Sequence, residues 1–445
     1  MTSPSLTDEH IRPLTSQTDR AHKASQAGSA LRGDGVTTAY DPFREPLLSD
    51  PYPFFARTRA DAPVFYAPVI EHWVVARYED VKRVLLDPEA FSAANSIAPV
   101  TPLCDAAQRI LREGGWRQAP ALGNNDPPDH ARFRKNVQRA FTPRRVAELE
   151  PFIREAVETR IETIAPRGRA DLMAELIYDL PALVILELLG IPDDGVPIVR
   201  EAGDNRIAFV WGRPTDDEQA RLAAAMVRFW LYLRGLIDER LASPPDDSSG
   251  DLTSGLLAVR GGDDTVFTLD EIASVLFAFL TAGHETTSSL IGNAARQLLG
   301  RRVVWEELCA DPSLISGAVE EVLRFDSPVV AWRRRARRDV EVAGVTIPEG
   351  AQVLMLLGSA NRDDAVFDDP EWLDIRRGNA SAHLSFGHGI HFCLGAALAR
   401  LEARVTFDVL TARLPSLRLA PGYVPHFVPN VSFRGPVALE VEWDG

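Results

Sequence analysis

The sequence predicts a mainly α-helical chain with a smaller β-rich region, and three observations carry that expectation. Between Val146 and about Leu241 the apolar residues keep a helical period, broken by turn signals at Pro166-Arg167-Gly168 and Gly190-Ile191-Pro192. From Thr268 to about Leu299 a second helical pattern runs for ~48 Å at 1.5 Å per residue. Strand signals are short and scattered: Val64 to Tyr66, His72 to Ala76, Val345 to Pro348, Gln352 to Leu356 and the stretch near Pro429 to Phe433.

Composition bounds the rest. Hydrophobic residues at 45% and charged residues at 25% are an ordinary globular balance. Residues 1–39 are polar and aperiodic and are expected to form a flexible tail. Cys104, Cys309 and Cys393 lie far apart, so a disulfide framework is not expected and a reducing compartment is. The N-terminus has no signal pattern, and the longest apolar runs, such as Ile272 to Ala282, fall short of the ~20 residues of a membrane helix. A soluble, cytoplasmic protein without a membrane is the expectation. The net charge of −15 argues against nucleic acid as the main partner.

In chain order, Asp80 to Leu86 reads as a short helix, and Phe91 to Gly123 as a long irregular segment of the kind that covers a binding site. After Asp126-Pro127-Pro128-Asp129 comes a basic helix with His130, Arg132, Arg134, Lys135 and Arg139. His130 and Arg134, four apart, share a face, although a solvated basic face is the ordinary meaning of such a helix. Ile207 to Pro214, with Phe209 and Trp211, breaks the helical period and is a candidate lid over a channel. Ser243 to Asp251 is a polar loop.

Thr268 and Glu271 then form a capping box for the long helix. In its middle stands Ala282-Gly283-His284-Glu285-Thr286-Thr287. Glycine, a carboxylate and β-branched residues are poor choices for a buried helix centre, which points to a functional cause. A zinc-protease motif fails because Ser288 takes the second His position. Further on, Glu321 and Arg324 are three apart on one helix and can pair. Arg333 to Arg338 holds five arginines in six residues, usually the mark of a solvated face.

The most informative stretch is Phe386 to Gly395, FGHGIHFCLG. It sets Cys393 between a glycine-punctuated loop and an apolar helix with Leu394, Leu398, Leu401 and Val405. A thiolate there would meet the positive end of a helix dipole. Gly387 and Gly389 allow close approach of a flat partner, and Gly395, Ala396 and Ala399 keep the first helical turns small. An inert buried cysteine competes with this reading. So does zinc on His388, His391 and Cys393, which lacks a second ligand pair at the usual spacing. A dinucleotide loop fails because Phe392 replaces the third glycine. A haem held by a cysteine thiolate answers to all the features.

Phe386, Gly387, Gly389, His391, Cys393 and Gly395 stand at the spacing of the haem-binding loop of the cytochromes P-450, and from residue 41 to 445 the chain resembles that family through five motifs in order. The resemblance implies the cytochrome P-450 fold, as a single domain over residues 40–445. It implies heme b between the long helix and the Cys393 helix, with Cys393 as the iron ligand. His130, Arg134, Arg334 and His391 would anchor the cofactor, with Ala282, Phe386, Gly387 and Gly395 against it. Arg334 is assigned through the pattern R-x-A-x-x-D, completed by Ala336 and Asp339. Glu285 and Thr286 would deliver protons, Glu285 standing where many bacterial relatives carry Asp. Glu321, Arg324 and Arg377 would form a structural trio, with Arg376 competing for the last place. Ala278, Thr281, Ala282, Val329 and Phe433 would line the substrate pocket.

The implied reaction inserts one atom of O2 into a small or medium apolar organic molecule by hydroxylation, dealkylation or epoxidation. Electrons would come from NAD(P)H through a ferredoxin or flavin reductase. AWRRRA and NVSFRGP are similar to haem domains fused to a reductase. Arg132, Lys135, Arg139, Arg144, Arg145, Arg400 and Arg404 would form a basic docking patch for the electron donor on the thiolate side. A peroxide-using enzyme and a non-catalytic haem sensor remain as alternatives.

Overall fold

The computed structural model describes residues 39–191, 195–243 and 250–444. The expected N-terminal tail, but for Ala39, and most of the Ser243–Asp251 loop lie outside the described residues. The first elements are mixed. Helix α1 (Tyr52–Asp61) leads into an antiparallel hairpin, β1 (Val64–Ala67) and β2 (His72–Val75), followed by α2 (Tyr78–Leu86) and the short β3 (Phe91–Ser92). The segment from Phe91 to Gly123 is not irregular throughout, because it contains α3 (Asp105–Glu113). This helix is only nine residues long, too short for its period to stand out. Its N-cap, Cys104, is fixed by a 2.8 Å bond from its N–H to Gln219 Oε1.

Next come α4 (Asp129–Ala140), α5 (Pro143–Glu148), α6 (Glu150–Ile164) and β4 (Arg169–Asp171). A π-helical turn at Met173–Ile177 opens into α7 (Asp179–Leu189). Helices α8 (Val196–Trp211), α9 (Asp216–Ala242) and α10 (Leu252–Arg260) follow. The expected lid at Ile207 to Pro214 is corrected here: α8 runs on through Trp211, and only then does the chain turn at Gly212. The apolar period blurs because α8 is covered by α7 and α9, and by the long helix described next, so Ile207, Phe209, Val210 and Trp211 are all buried.

Helix α11 (Leu269–Leu299) has 31 residues and starts at the Thr268/Glu271 capping box. After it come α12 (Arg302–Ala310), α13 (Ile315–Phe325), β5 (Trp332–Ala336), the hairpin β6 (Val340–Val342) and β7 (Val345–Ile347), β8 (Gln352–Met355) and α14 (Leu357–Ala360). The chain closes with α15 (Ala396–Arg413), β9 (Arg418–Leu419) and β10 (Glu440–Glu442). Helix α11 packs on α7, α8 and α9 on one side and on α12, α13 and α15 on the other, so it is the axis of the core.

The larger sheet has the order β1-β2-β8-β5-β3, with β2 and β8 parallel, and a smaller one has the order β4-β10-β9. The arginine run is not a solvated face over its whole length. Arg333 and Arg334, inside β5, are each 2% exposed, whereas Arg337 and Arg338 lie at the surface. Buried Asp326 ties distant segments together by accepting bonds from Tyr52 Oη at 2.8 Å, Gln297 Nε2 at 2.8 Å and Arg434 Nε at 3.2 Å. Among the described residues no helix is long and apolar enough to cross a membrane.

Candidate functional site

The loop before α15 is shaped by its glycines. Gly387 and Gly389 have φ of 69° and 71°, which side-chain-bearing residues rarely adopt. A Cβ on Gly389 would also stand 3.0 Å from the Leu85 carbonyl, so the loop is pressed on the end of α2. The Cys393 N–H donates to the Phe386 carbonyl at 2.9 Å. This turns the thiol toward the start of α15, with Gly395 as the residue just before the helix. Cys393 is exposed at its own surface, yet protein encloses it at longer range. That burial pushes the thiol pKa up, while backbone N–H groups of Gly395 and Ala396 and the charges of Arg134 and Arg400 oppose it. Arg400 also stands over the Phe386 ring at 4.5 Å.

Beside this loop is a group of polar atoms without acceptors. The rings of His130 and His391 are 4.2 Å apart, and the Nε2 atom of each is buried without a hydrogen-bond partner among the described residues. His391 Nδ1 is occupied by the Leu122 carbonyl at 3.1 Å. Arg334 donates to the Arg333 carbonyl at 2.8 Å and makes no ion pair among the described residues. Burial, with the neighbouring Arg334 and His130, pushes His391 down to about 3, and burial pushes Arg334 down to about 10. Asp126 acts on all three from a distance, but among the described residues no carboxylate is in ion-pair contact with them, and two carboxylates on one edge of a flat group would satisfy the cluster. These are the demands of haem propionates, so the residues present fit the cofactor expected from the sequence. Arg134, one turn along α4, reaches the Phe392 carbonyl at 2.8 Å and acts on both His130 and Cys393. Among the described residues no three His, Cys, Asp or Glu side chains converge as metal ligands, so His388, His391 and Cys393 do not make a zinc set.

The centre of α11 is open where its flanking turns are closed. Ala282 is exposed, and Ala278, Gly283, Glu285 and Thr286 are half-buried, between turns that are almost wholly buried. Gly283 is required by packing, because a Cβ there would lie 2.3 Å from Ile185 Cδ1 on α7. His284 is held within the protein by the Tyr178 carbonyl at 2.8 Å. Thr286 Oγ1 donates to the Ala282 carbonyl at 2.6 Å. Glu285 Oε2 lies 3.3 Å from the Tyr178 hydroxyl, which itself donates to Asp204, an exposed residue of α8. Burial, with the Asp204 charge, pushes Glu285 up to about 7. Nothing in the local sequence marks Tyr178 and Asp204, since both come from other helices.

The expected pocket residues are distributed unevenly. Val329 and Phe433 are joined by an isolated β-bridge, and Phe433 meets Trp211 edge-on at 4.7 Å. Thr281 is buried, donates to the Phe277 carbonyl at 2.7 Å and accepts from Arg206 of α8. Arg206 was not among the residues singled out from the sequence. It sits on the buried stripe Val199, Ala202, Gly203, Arg206, Val210, and a cation on an apolar stripe is the signal that could have found it.

Behind the loop, Glu321 and Arg324 are completely buried and joined by two bonds of 2.7 and 2.8 Å. Arg377 Nε reaches both Glu321 oxygens at 3.2 Å, whereas Arg376 Nε pairs with Glu307 at the surface at 3.0 Å. The basic patch is weaker than its sequence suggests. Arg132 pairs with Glu271 at 2.6 Å, Arg144 with Glu148 at 2.8 Å, Arg400 with Glu320 at 2.5 Å and Arg404 with Glu150 at 2.8 Å. Among the described residues Lys135 and Arg139 are exposed without such a pair, and Arg145 donates to the Ala140 carbonyl and has none either.

Comparison with known proteins agrees with this arrangement. The sequence model described as Cytochrome P450 matches residues 295–413. The cytochrome P450 monooxygenase PikC of Streptomyces venezuelae is 40% identical over 407 residues, 89% of this chain and 92% of the relative. The vitamin D(3) 25-hydroxylase of Pseudonocardia autotrophica is 40% identical over 395 residues, 87% of this chain and 92% of its own. Among solved structures, cytochrome P450 CREJ in complex with (4-ethylphenyl) dihydrogen phosphate superposes with a TM-score of 0.88 at 39% identity, covering 92% of this chain and 100% of that one. Full-length CYP116B46 from Tepidiphilus thermophilus gives 0.87 at 38% identity, over 92% of this chain and 54% of its own. The chain belongs to the cytochrome P450 family, with the P450 fold and the haem iron of that family, and is a monooxygenase.

Proposed function

We propose that the chain holds heme b through Cys393 and inserts one atom of O2 into a small or medium organic molecule, using electrons from NAD(P)H passed on by a ferredoxin or flavin reductase. The observation that carries the cofactor assignment is the cluster of His130 Nε2, His391 Nε2 and the Arg334 guanidinium, buried together beside the Cys393 loop with no carboxylate in ion-pair contact among the described residues. When bound, the haem iron would supply the site for O2 and pass on the donor's electrons that cleave it, and a thiolate ligand would favour that cleavage. His130, Arg334 and His391 fix the orientation of the cofactor, with Arg134 bridging toward the thiolate side. The open α11 face at Ala278, Ala282 and Thr286 bounds the reaction space, and Val329 and Phe433 line it from the β5 side.

Glu285 has a proton to give near neutral pH, and Tyr178 and Asp204 lead from it to the surface. A proton path of this kind supports an O2-consuming enzyme over a peroxide-using one or a sensor, neither of which needs protons carried from solvent. Relatives act on chemically different molecules according to their names, and the family likeness alone selects none for this chain. The assignment is tested by the spectrum of the reduced, carbon-monoxide-bound protein. A strongly red-shifted thiolate band in the wild type, lost in Cys393→Ala, is the expected result. Retention of that band in Cys393→Ala would sink the assignment.

A further inference from the structure

We propose that Arg206 and the indole N–H of Trp211 form an anion site at one end of the substrate pocket, so that the enzyme takes substrates with an apolar body and a terminal carboxylate or phosphate. This rests on the reading of the α11 face as the substrate pocket and names the substrate class for it. Arg206 is 7% exposed. The other buried arginines are accounted for. Arg59 and Arg362 pair with Glu371, Arg324 with Glu321 and Arg434 with Asp326, while Arg333 donates to the Ser96 and Ala98 carbonyls and Arg334 belongs to the cofactor cradle. Arg206 has only the Thr281 hydroxyl as acceptor and no carboxylate in ion-pair contact among the described residues.

The surroundings of Arg206 are aromatic. Its guanidinium lies 5.1 Å from the Phe277 ring and 5.6 Å from the Trp211 ring. Trp211 Nε1 is itself buried without an acceptor. A cation without an ion-pair partner and an indole N–H without an acceptor, both among the described residues, therefore share one aromatic setting, and burial alone pushes the arginine down to about 10. A charge held this way is costly unless something pairs with it, and a guanidinium fork matches a carboxylate or phosphate. Trp211 also meets Phe433, so the cation adjoins the aromatic wall already assigned to the pocket.

Position bounds the substrate's length. Thr281, on which Arg206 rests, is five residues before Thr286 on the same helix, a rise of about 7.5 Å at 1.5 Å per residue. Ala278 and Ala282, four apart and on the side of the helix that carries Thr286, leave that face without bulk. Five residues also turn the helix by about 140°, so Thr281 and Thr286 face different sides and this rise is a lower bound on the span from an anion on Arg206 to a carbon beside Thr286. The apolar substrate expected from the sequence is in this way refined to an amphiphile with an anionic end.

The test uses the haem-loaded protein and three matched probes: para-propylbenzoate, para-propylphenyl phosphate and the neutral para-propylanisole. Binding is read from the shift of the haem absorption band and, independently, from the thermal midpoint. In the wild type both anions should bind at least about tenfold more tightly than the neutral probe, and Arg206→Met should weaken them by on the order of 10²-fold while changing the neutral probe little. Arg206→Lys should keep part of the preference, which a merely structural link between α8 and α11 would not do. The tighter of the two anions identifies the head group. Equal binding of neutral and charged probes by the wild type, or an anion preference that survives in Arg206→Met, would overturn the proposal. Thermal midpoints report the preference even without the thiolate band, so loss of that band sinks the haem-thiolate reading and not the anion site.

Discussion

The Tyr178 hydroxyl stands 3.3 Å from Glu285 Oε2 and donates at the same time to Asp204, so a carboxyl at the centre of α11 is linked to the protein surface through a single phenol. Glu285 is pushed up to about 7, by burial first and the Asp204 charge second, so it exchanges protons readily at neutral pH. The sign for stability follows. A carboxyl raised in the folded state from 4.5 to about 7 costs nothing below pH 4.5 and its full penalty above pH 7. Stability should therefore fall across that window by at most about 3 kcal/mol, and Glu285→Gln should remove this slope. Denaturant titrations of both proteins at several pH values provide the check, and parallel pH profiles would count against the raised pKa.

Tyr178→Phe should interrupt the same path without emptying the pocket. The expected outcome is slower O2-dependent turnover, a larger solvent deuterium effect and unchanged binding of substrate. The Tyr178 hydroxyl, shared between the two carboxyls, also lowers the Glu285 pKa, so its loss should move the alkaline limb of the pH–rate profile upward. A profile identical to that of the wild type would mean that protons enter by another route.

Thr286 donates to the Ala282 carbonyl, one turn back on its own helix, which leaves its oxygen facing the open side. Thr286→Val keeps the shape and removes the hydroxyl. Haem binding should persist while NAD(P)H consumption is diverted from product to hydrogen peroxide. Measuring product formed and peroxide released per NAD(P)H decides the matter, and an unchanged ratio would remove Thr286 from proton delivery.

Where the sequence was informative, the reason was local. The Thr268/Glu271 cap, the Cys393 loop and the Glu285–Thr286 interruption all rest on neighbours within a turn or two, and a single chain segment displays them. Arg377 was separable from Arg376 only by the fold, which directs one to Glu321 and the other to Glu307. Tyr178, Asp204 and Arg206 were missed because their partners lie on other helices, from 26 to 107 residues away in sequence. The helical course of Ile207 to Trp211 was missed for a related reason. A helix buried on several sides loses the one-sided apolar stripe by which helices are recognised.

Glu321 and Arg324 are fully buried, and each is held by the other, which makes the pair sensitive to one-sided change. Arg324→Leu should destabilise the protein by about 3–5 kcal/mol, because buried Glu321 loses its nearer cation and is left with the longer 3.2 Å contacts from Arg377. Arg376→Ala, which removes only the surface contact with Glu307, should shift stability by no more than about 0.5 kcal/mol. Thermal and urea unfolding of the two variants makes the comparison. Similar losses in both would contradict the division of roles between Arg376 and Arg377.

The ion pairs at Arg132, Arg144, Arg400 and Arg404 change what the basic face can do for an electron donor. A paired arginine contributes little net field beyond the Debye length, ~8 Å near 0.15 M salt. Lys135 and Arg139, both exposed on α4, are then, with the half-buried Arg145, the charges of the patch left to steer an acidic ferredoxin or flavin domain toward the thiolate side. The double variant Lys135→Glu, Arg139→Glu should slow reduction by such a partner several-fold at low salt and leave substrate binding unchanged. Raising the ionic strength should slow the wild type and bring the two proteins together. Arg404→Glu should slow reduction less, since in the wild type Glu150 already offsets that charge. Stopped-flow reduction rates over a salt series measure all three effects. Rates insensitive both to salt and to the α4 charges would place the docking surface on another face.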